Sequence, residues 1–83
     1  MKATKTWQAI LAGSRGVRFD DAIRCAEAFG YRLVRTAGSH RILKHPDVPE
    51  LLNLQPRPDG TAKAYQLRQL VGYVERYGLK MGR

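Results

Sequence analysis

The chain has 83 residues, and its 15 Lys and Arg against 7 Asp and Glu leave a formal charge of +8. A chain this short supports one hydrophobic core, so we predict a single domain over residues 1–83, and the charge favours an anionic partner. No segment approaches the roughly 20 apolar residues of a membrane span, and the apolar run after Lys5 lacks a signal-peptide cleavage site. The single Cys25 cannot form an internal disulfide and is predicted to be a small buried hydrophobe. We therefore expect a cytoplasmic protein with no membrane partner.

Residues 1–16 are predicted to form an appended helix followed by a turn. Trp7, Ile10 and Leu11 have the i, i+3, i+4 spacing of one apolar helix face. Two closely spaced glycines then favour a turn. We expect the core of the domain in residues 17–80.

Two further helices are predicted within this core. Asp20 or Asp21 can cap the N-terminus of the first, and Gly30 suits the left-handed position after its last turn. Residues 64–77 carry a second apolar stripe of helical period, and Gly78 ends it.

Three strands are predicted between these two helices. Residues 31–36 and 40–45 are typical of a hairpin joined by the tight turn Gly38-Ser39. Residues 46–49 are predicted as a loop, and residues 50–55 as the third strand. The order α-α-β-β-β-α favours an α+β fold with a three-stranded antiparallel sheet and helices on one of its faces.

The predicted hairpin is basic and contains both histidines of the chain. From Gly30 to Pro46 it has no acidic residue, so it should attract phosphates. Because side chains alternate along a strand, His40 and His45 should point to opposite faces. The bases of this segment are Arg32, Arg35, Arg41 and Lys44.

A metal site and several enzyme classes lack support in the sequence. Two histidines on opposite faces and one distant Cys25 fall short of the convergent ligands that zinc needs, so we predict no metal and no cofactor. The chain also has no phosphate-binding Gly-rich motif and no G-x-S-x-G motif. Nucleotide hydrolysis and serine-hydrolase chemistry are therefore not indicated.

His40 has two interpretations at this point. One is a structural histidine that packs or hydrogen-bonds at a strand start. The other is a proton-transfer group that takes a proton from a ribose 2'-hydroxyl or gives one to a leaving 5'-oxygen, since imidazole exchanges protons near neutral pH. Such RNA cleavage needs alignment and nearby positive charge but no metal, and Arg35, Arg41 or Lys44 could supply the charge.

The ordered motifs around this hairpin resemble the HicA (YcfA-like) family of mRNA interferase toxins. Residues 49–55, 64–70 and 74–77 look like a subgroup with an extra N-terminal helix, although the third strand and the start of the last helix differ from those of the commoner short members. The motifs that carry the resemblance are Leu33-Val34-Arg35, Gly38-Ser39-His40-Arg41-Ile42 and His45-Pro46, after a helix ending in Phe29-Gly30-Tyr31.

The resemblance implies a double-stranded-RNA-binding-domain-like fold and metal-independent cleavage of mRNA. It also implies that His40 is the catalytic histidine and that a HicB-like antitoxin is the partner protein. We expect His45 to be structural, near the end of its strand. Candidate RNA and phosphate contacts are Arg35, Gly38, Ser39, Arg41 and Lys44, where Gly38 supplies a positive φ and Ser39 either caps the turn or touches a phosphate.

Two other hypotheses remain open from the sequence. The same basic hairpin would serve an RNA-binding module that reads duplex shape without cleaving. A DNA-binding or purely partner-binding protein is the third possibility, although the last helix has no base-reading signature.

Overall fold

The helices and strands follow the order predicted from the sequence. A computed structural model describes residues 2–82. The strands form one antiparallel sheet in the order β1-β2-β3, which confirms the predicted α-α-β-β-β-α arrangement. Within these residues no helix has the length and apolar character needed to span a membrane. The elements are α1 (Ala3–Leu11), α2 (Phe19–Ala28), β1 (Arg32–Ala37), β2 (His40–His45), β3 (Val48–Leu54) and α3 (Ala64–Tyr77).

The start of α2 differs from the prediction. The helix begins at Phe19, and the extended residue Arg18 occupies the N-cap position without a side-chain capping bond. Asp20 and Asp21 lie in the first turn, so the prediction that one of them caps the helix was wrong. In the first turn their carboxylates instead interact favourably with the positive end of the helix dipole.

The connection between β2 and β3 is shorter than predicted. The turn consists of Pro46 and Asp47 alone, and β3 already begins at Val48. The backbone N–H of Asp47 donates to Nδ1 of His45 at 3.0 Å, which closes the turn. Pro49 is tolerated within β3 because β3 is an edge strand of the sheet.

The sheet has an inner face covered by the helices and an outer face open to solvent. On β2, Leu43 and His45 are buried while Lys44 is exposed, so His40, Ile42 and Lys44 share the outer face. Leu43 pairs with Leu52 of β3, which is likewise buried. This alternation confirms that the two histidines point to opposite faces.

The core joins the inner face of the sheet to all three helices. Leu43, Leu52, Leu54 and Leu70 are fully buried within one cluster, which also contains Ile10 of α1. Cys25 is buried there too, as predicted, and burial raises the pKa of its thiol to about 11. A thiol with so high a pKa has little thiolate at neutral pH, so Cys25 behaves as a small apolar side chain.

The helix α1 packs against both α2 and α3 and is not a loose extension. The Trp7 ring meets the Phe29 ring edge to face, with the centroids 4.6 Å apart. Ile10 is only 8% exposed. The appended helix therefore closes one side of the core through Trp7 and Ile10, whereas Leu11, predicted to share their apolar face, is 54% exposed.

His45 ties the end of β2 to the end of α2. Its Nε2–H donates to the Phe29 carbonyl oxygen at 2.9 Å, while its Nδ1 accepts the Asp47 N–H. The ring also packs edge to face on Tyr31 at 5.2 Å. A Cβ at Gly30, where φ is +103°, would lie 2.9 Å from Nε2, so this close approach requires glycine. The prediction that His45 is structural is confirmed.

Replacing His45 by leucine is expected to lower the free energy of unfolding by about 1–3 kcal/mol, because the buried Phe29 carbonyl and the Asp47 N–H lose their partner. Urea denaturation followed by circular dichroism measures the change. The matched control is His40→Ala, which removes the other, partly exposed histidine and should cost less than about 1 kcal/mol. Equal losses for the two variants would contradict the structural role of His45.

Candidate functional site

His40 lies at the outer face of the sheet, directly after the hairpin turn. Gly38 has φ +59°, which confirms the predicted left-handed turn residue. Ala37 and His40 form the closing pair of the two strands. The turn therefore fixes the backbone at His40, while the side chain remains partly exposed.

The imidazole of His40 is held by an amide from the neighbouring strand. Its Nδ1 lies 3.2 Å from Oδ1 and 3.1 Å from Nδ2 of Asn53 on β3. The amide can accept a hydrogen bond from a protonated Nδ1 or donate one to an unprotonated Nδ1. Within residues 2–82, Nε2 of His40 makes no hydrogen bond. The ring thus has one restrained nitrogen and one that can meet a ligand.

Positive charge lies on the same outer face as His40. Arg35 pairs in register with Ile42, and Arg32 pairs with Lys44, so all three basic side chains leave the sheet on that face. The one carboxylate of the three strands, Glu50, turns instead toward α3, where it accepts the Tyr77 hydroxyl hydrogen bond at 2.8 Å. The outer face of the strands therefore has cations without an acidic residue.

Arg41 lies on the opposite face from His40. Its guanidinium carbon is 5.8 Å from the centre of the Phe19 ring, and its Nη1 donates to the Gly38 carbonyl at 3.2 Å. Arg41 therefore packs over α2 and supports the turn. The structure brings Arg35 and Lys44, but not Arg41, to the face that His40 occupies.

Ser39 is exposed at the tip of the turn. Its hydroxyl lies 3.5 Å from Nε2 of Gln55, a residue just beyond β3, which is the outer limit of a hydrogen bond. The backbone N–H of Gln55 donates to the buried Gln66 side chain at 2.8 Å. The two contacts of Gln55 anchor the segment after β3 beside the turn.

Among residues 2–82, no three His, Cys, Asp or Glu side chains are grouped so that they could hold a metal ion.

Asn53 was not predicted, although the sequence holds a partial signal for it. A two-residue turn at Pro46 and Asp47 pairs His45 with Val48, and regular antiparallel pairing from there places Asn53 directly opposite His40. A bulge between Leu43 and His45 moves Asn53 opposite Ile42, from where its amide reaches His40 diagonally. A loop over residues 46–49, as predicted, leaves the pairing partner of each residue in the third strand undefined.

The comparisons with known proteins agree with the motifs of the hairpin. A family model described as the HicA toxin of bacterial toxin-antitoxin systems matches residues 19–78. The match covers α2, the entire sheet and α3, and it leaves α1 outside. The comparisons with curated proteins and with solved structures found no match. The chain belongs to the HicA toxin family of bacterial toxin-antitoxin systems.

Proposed function

We propose that this toxin cleaves mRNA without a metal ion and that His40 transfers the proton. The observation that carries the proposal is the partly exposed His40, which Asn53 holds at Nδ1 while Nε2 makes no hydrogen bond within residues 2–82, on the face that also carries Arg35 and Lys44. A HicB-like antitoxin is the proposed partner, and the cytoplasm is the proposed location. Family membership supports this assignment of a toxin with a cognate antitoxin.

The proposed reaction uses a nucleophile that RNA already contains. The 2'-oxygen of a ribose attacks the adjacent phosphorus while its proton moves to Nε2 of His40. The bond from phosphorus to the 5'-oxygen then breaks, and the leaving oxygen takes up the proton from the imidazolium of His40. The products are a strand ending in a 2',3'-cyclic phosphate and a strand beginning with a 5'-hydroxyl. Every atom of this step comes from the RNA and the imidazole, so no metal-bound water is needed.

Asn53 acts in this proposal as the residue that positions His40. When its Oδ1 accepts from Nδ1–H, the lone pair of the neutral ring lies on Nε2, which is the atom that must take the proton. The same amide orientation also suits the charged imidazolium, because Nδ1 still donates. The reversed amide would suit only a neutral ring with its proton on Nε2. One orientation of Asn53 therefore supports both protonation states of the proposed cycle.

Arg35 and Lys44 supply the electrostatic part of the mechanism. A phosphate bound on the outer face gains charge on its equatorial oxygens during attack, and fixed cations stabilise that charge. The guanidinium of Arg35 can bind two of these oxygens at once, whereas the Lys44 ammonium acts as a point charge. Arg41 is not included, since it packs on Phe19 at the inner face.

RNA binding without cleavage is the second candidate function. It is favoured by the composition of the outer face: of the two histidines within residues 2–82 only His40 lies there, and no carboxylate from the strands accompanies it. A site with one proton-transfer group must use it, or water, for both the attacking and the leaving oxygen. A face that only binds RNA needs no such group.

The His40→Ala variant is expected to separate the two functions. Cleavage of a single-stranded RNA at low salt should fall by about 100- to 10,000-fold, the usual contribution of a general acid or base, while RNA affinity stays within a few-fold. EDTA should leave the rate of the parent protein unchanged. Gel-based cleavage and fluorescence anisotropy measure the two quantities. A His40→Ala protein that cuts at the parental rate, or a parent stopped by EDTA, would contradict the mechanism.

The position of the proton on the His40 ring can be measured directly. Nitrogen-15 NMR of the neutral imidazole should find the proton of His40 on Nδ1, because Asn53 accepts it there. In Asn53→Ala the proton should move toward Nε2, and cleavage should fall roughly 10-fold with little change in KM, as expected for one lost orienting hydrogen bond. Asn53→Asp keeps the acceptor but adds a negative charge that favours the imidazolium. Its pH-rate profile should therefore move to higher pH.

The control for the Asn53 variants is Leu51→Ala, which shortens an exposed side chain of the same strand. It should alter neither the position of the ring proton nor the pH-rate profile. A parent protein with its proton on Nε2 would remove Asn53 from the mechanism, whatever its rate of cleavage.

The double variant Arg35→Ala and Lys44→Ala is expected to weaken RNA binding and make it less dependent on salt. The slope of log affinity against log salt should decrease by roughly 0.7 for each lost contact with a single strand. Arg41→Ala, on the inner face, should change the slope less than Arg35→Ala or Lys44→Ala alone. The measurement is an anisotropy titration at several salt concentrations. Equal effects of Arg41 and Arg35 would show that binding does not distinguish the two faces.

A further inference from the structure

A second basic concavity lies apart from the outer face of the sheet. It is a groove of about 320 Å³ whose lining includes Arg15, Arg57 and Arg68 and, among the described residues, no Asp or Glu. Arg15 comes from the turn after α1, Arg57 from the segment after β3, and Arg68 from α3. We call it the arginine groove. Three segments that are distant in sequence thus bring three cations to one place.

These three arginines have no ion-pair partner within residues 2–82. The salt bridges of the described chain involve other arginines, which pair with Asp21 and Glu50. The acid closest in sequence to Arg57 is Asp59, whose carboxylate accepts the Thr61 hydroxyl at 2.6 Å and the Thr61 N–H at 3.0 Å. These bonds are the main cause that lowers the pKa of Asp59, with a smaller contribution from Arg57. Asp59 thus offsets part of the charge of Arg57, whereas no Asp or Glu among the described residues lines the groove, so its three guanidinium groups attract an anion.

The base of the arginine groove is apolar. The residues there are buried against the core, with 4–8% of their surface exposed. A groove that combines an apolar base with guanidinium groups suits a nucleotide chain, because sugars and bases pack on the apolar surface while the phosphates bind arginine. The apolar residues are Ile10, Val17 and Leu67.

We propose that the arginine groove binds the phosphodiester backbone of RNA on one side of the cleavage site. The proposal rests on the proposed function, and it assigns to the substrate a second binding region. The segment after β3 connects the two sites: Gln55 reaches the turn residue Ser39, and Arg57 follows two residues later. In this proposal an RNA strand bound at His40 continues past the turn into the groove.

This inference also gives a role to the part of the chain outside the family match. The match covers residues 19–78, whereas Arg15 and the apolar residues Ile10 and Val17 precede it. The N-terminal helix and turn thus build one wall of the arginine groove. The extra segment extends the RNA-binding surface in addition to closing the core.

The test compares short and long RNA in the His40→Ala background, where binding is measured without cleavage. Fluorescence anisotropy is recorded with single strands of about 4 and about 16 nucleotides, the span of site sizes for single-strand binding grooves. In the triple variant Arg15→Ala, Arg57→Ala and Arg68→Ala, affinity for the long RNA should fall at least 10-fold. Affinity for the short RNA should change less than 2-fold. The salt slope for the long RNA should decrease by roughly 0.7 per arginine.

The control removes the same charge elsewhere. Arg24, Arg76 and Lys80 are exposed cations outside the arginine groove, and the first two have side chains 63% and 70% exposed. Their triple alanine variant should weaken both RNAs equally and by less than the groove variant weakens the long RNA. Circular dichroism confirms that each variant is folded.

Several outcomes would overturn the inference. These are a groove variant that behaves like the charge-matched control and one that weakens short and long RNA equally. If the parent cuts RNA and the groove variant matches the control, only the groove assignment fails. If His40→Ala cuts like the parent while the groove variant loses long RNA, only the proposed mechanism fails. A parent that binds no RNA contradicts both.

Discussion

The hydrogen bonds of His45 tie one side of the central strand to the helical layer and to the following turn. One ring nitrogen binds the end of α2 through the Phe29 carbonyl, and the other binds the tight turn through the Asp47 N–H. The ring must therefore lie on the inner face, and because side chains alternate, His40 must lie on the outer one. Two identical side chains in one strand thus have different surroundings: both nitrogens of His45 are hydrogen-bonded within the fold, whereas Nε2 of His40 makes no hydrogen bond within residues 2–82.

The sequence predicts most of the fold because the helices have clear apolar periods and the strands are bounded by Gly and Pro. The errors occur where local rules compete. Asp20 and Asp21 are good capping residues, yet the first helical residue is Phe19, which is buried with the core. The third strand begins earlier than predicted because its edge position tolerates Pro49. In both places tertiary packing overrides the local preference.

The candidate site was predictable to the extent that it depends on strand alternation. His40, Arg35 and Lys44 share a face for that reason, and Arg41 departs from them for the same reason. Asn53 depends on the register across a bulge, which no single strand encodes. The arginines of the groove come from three separate segments, so their convergence depends on the tertiary fold, and the sequence shows only that the chain is basic.

The position of α1 has a consequence for how this chain can vary. Its residue Ile10 is part of the core, and its following turn supplies Arg15 to the arginine groove. Shortening the N-terminus would therefore expose apolar surface and alter the basic surface in the same event. Under the proposed RNA binding, one segment serves both stability and recognition, so a change in its length would affect both. Single substitutions at its polar positions are the changes that can vary recognition while keeping the core intact.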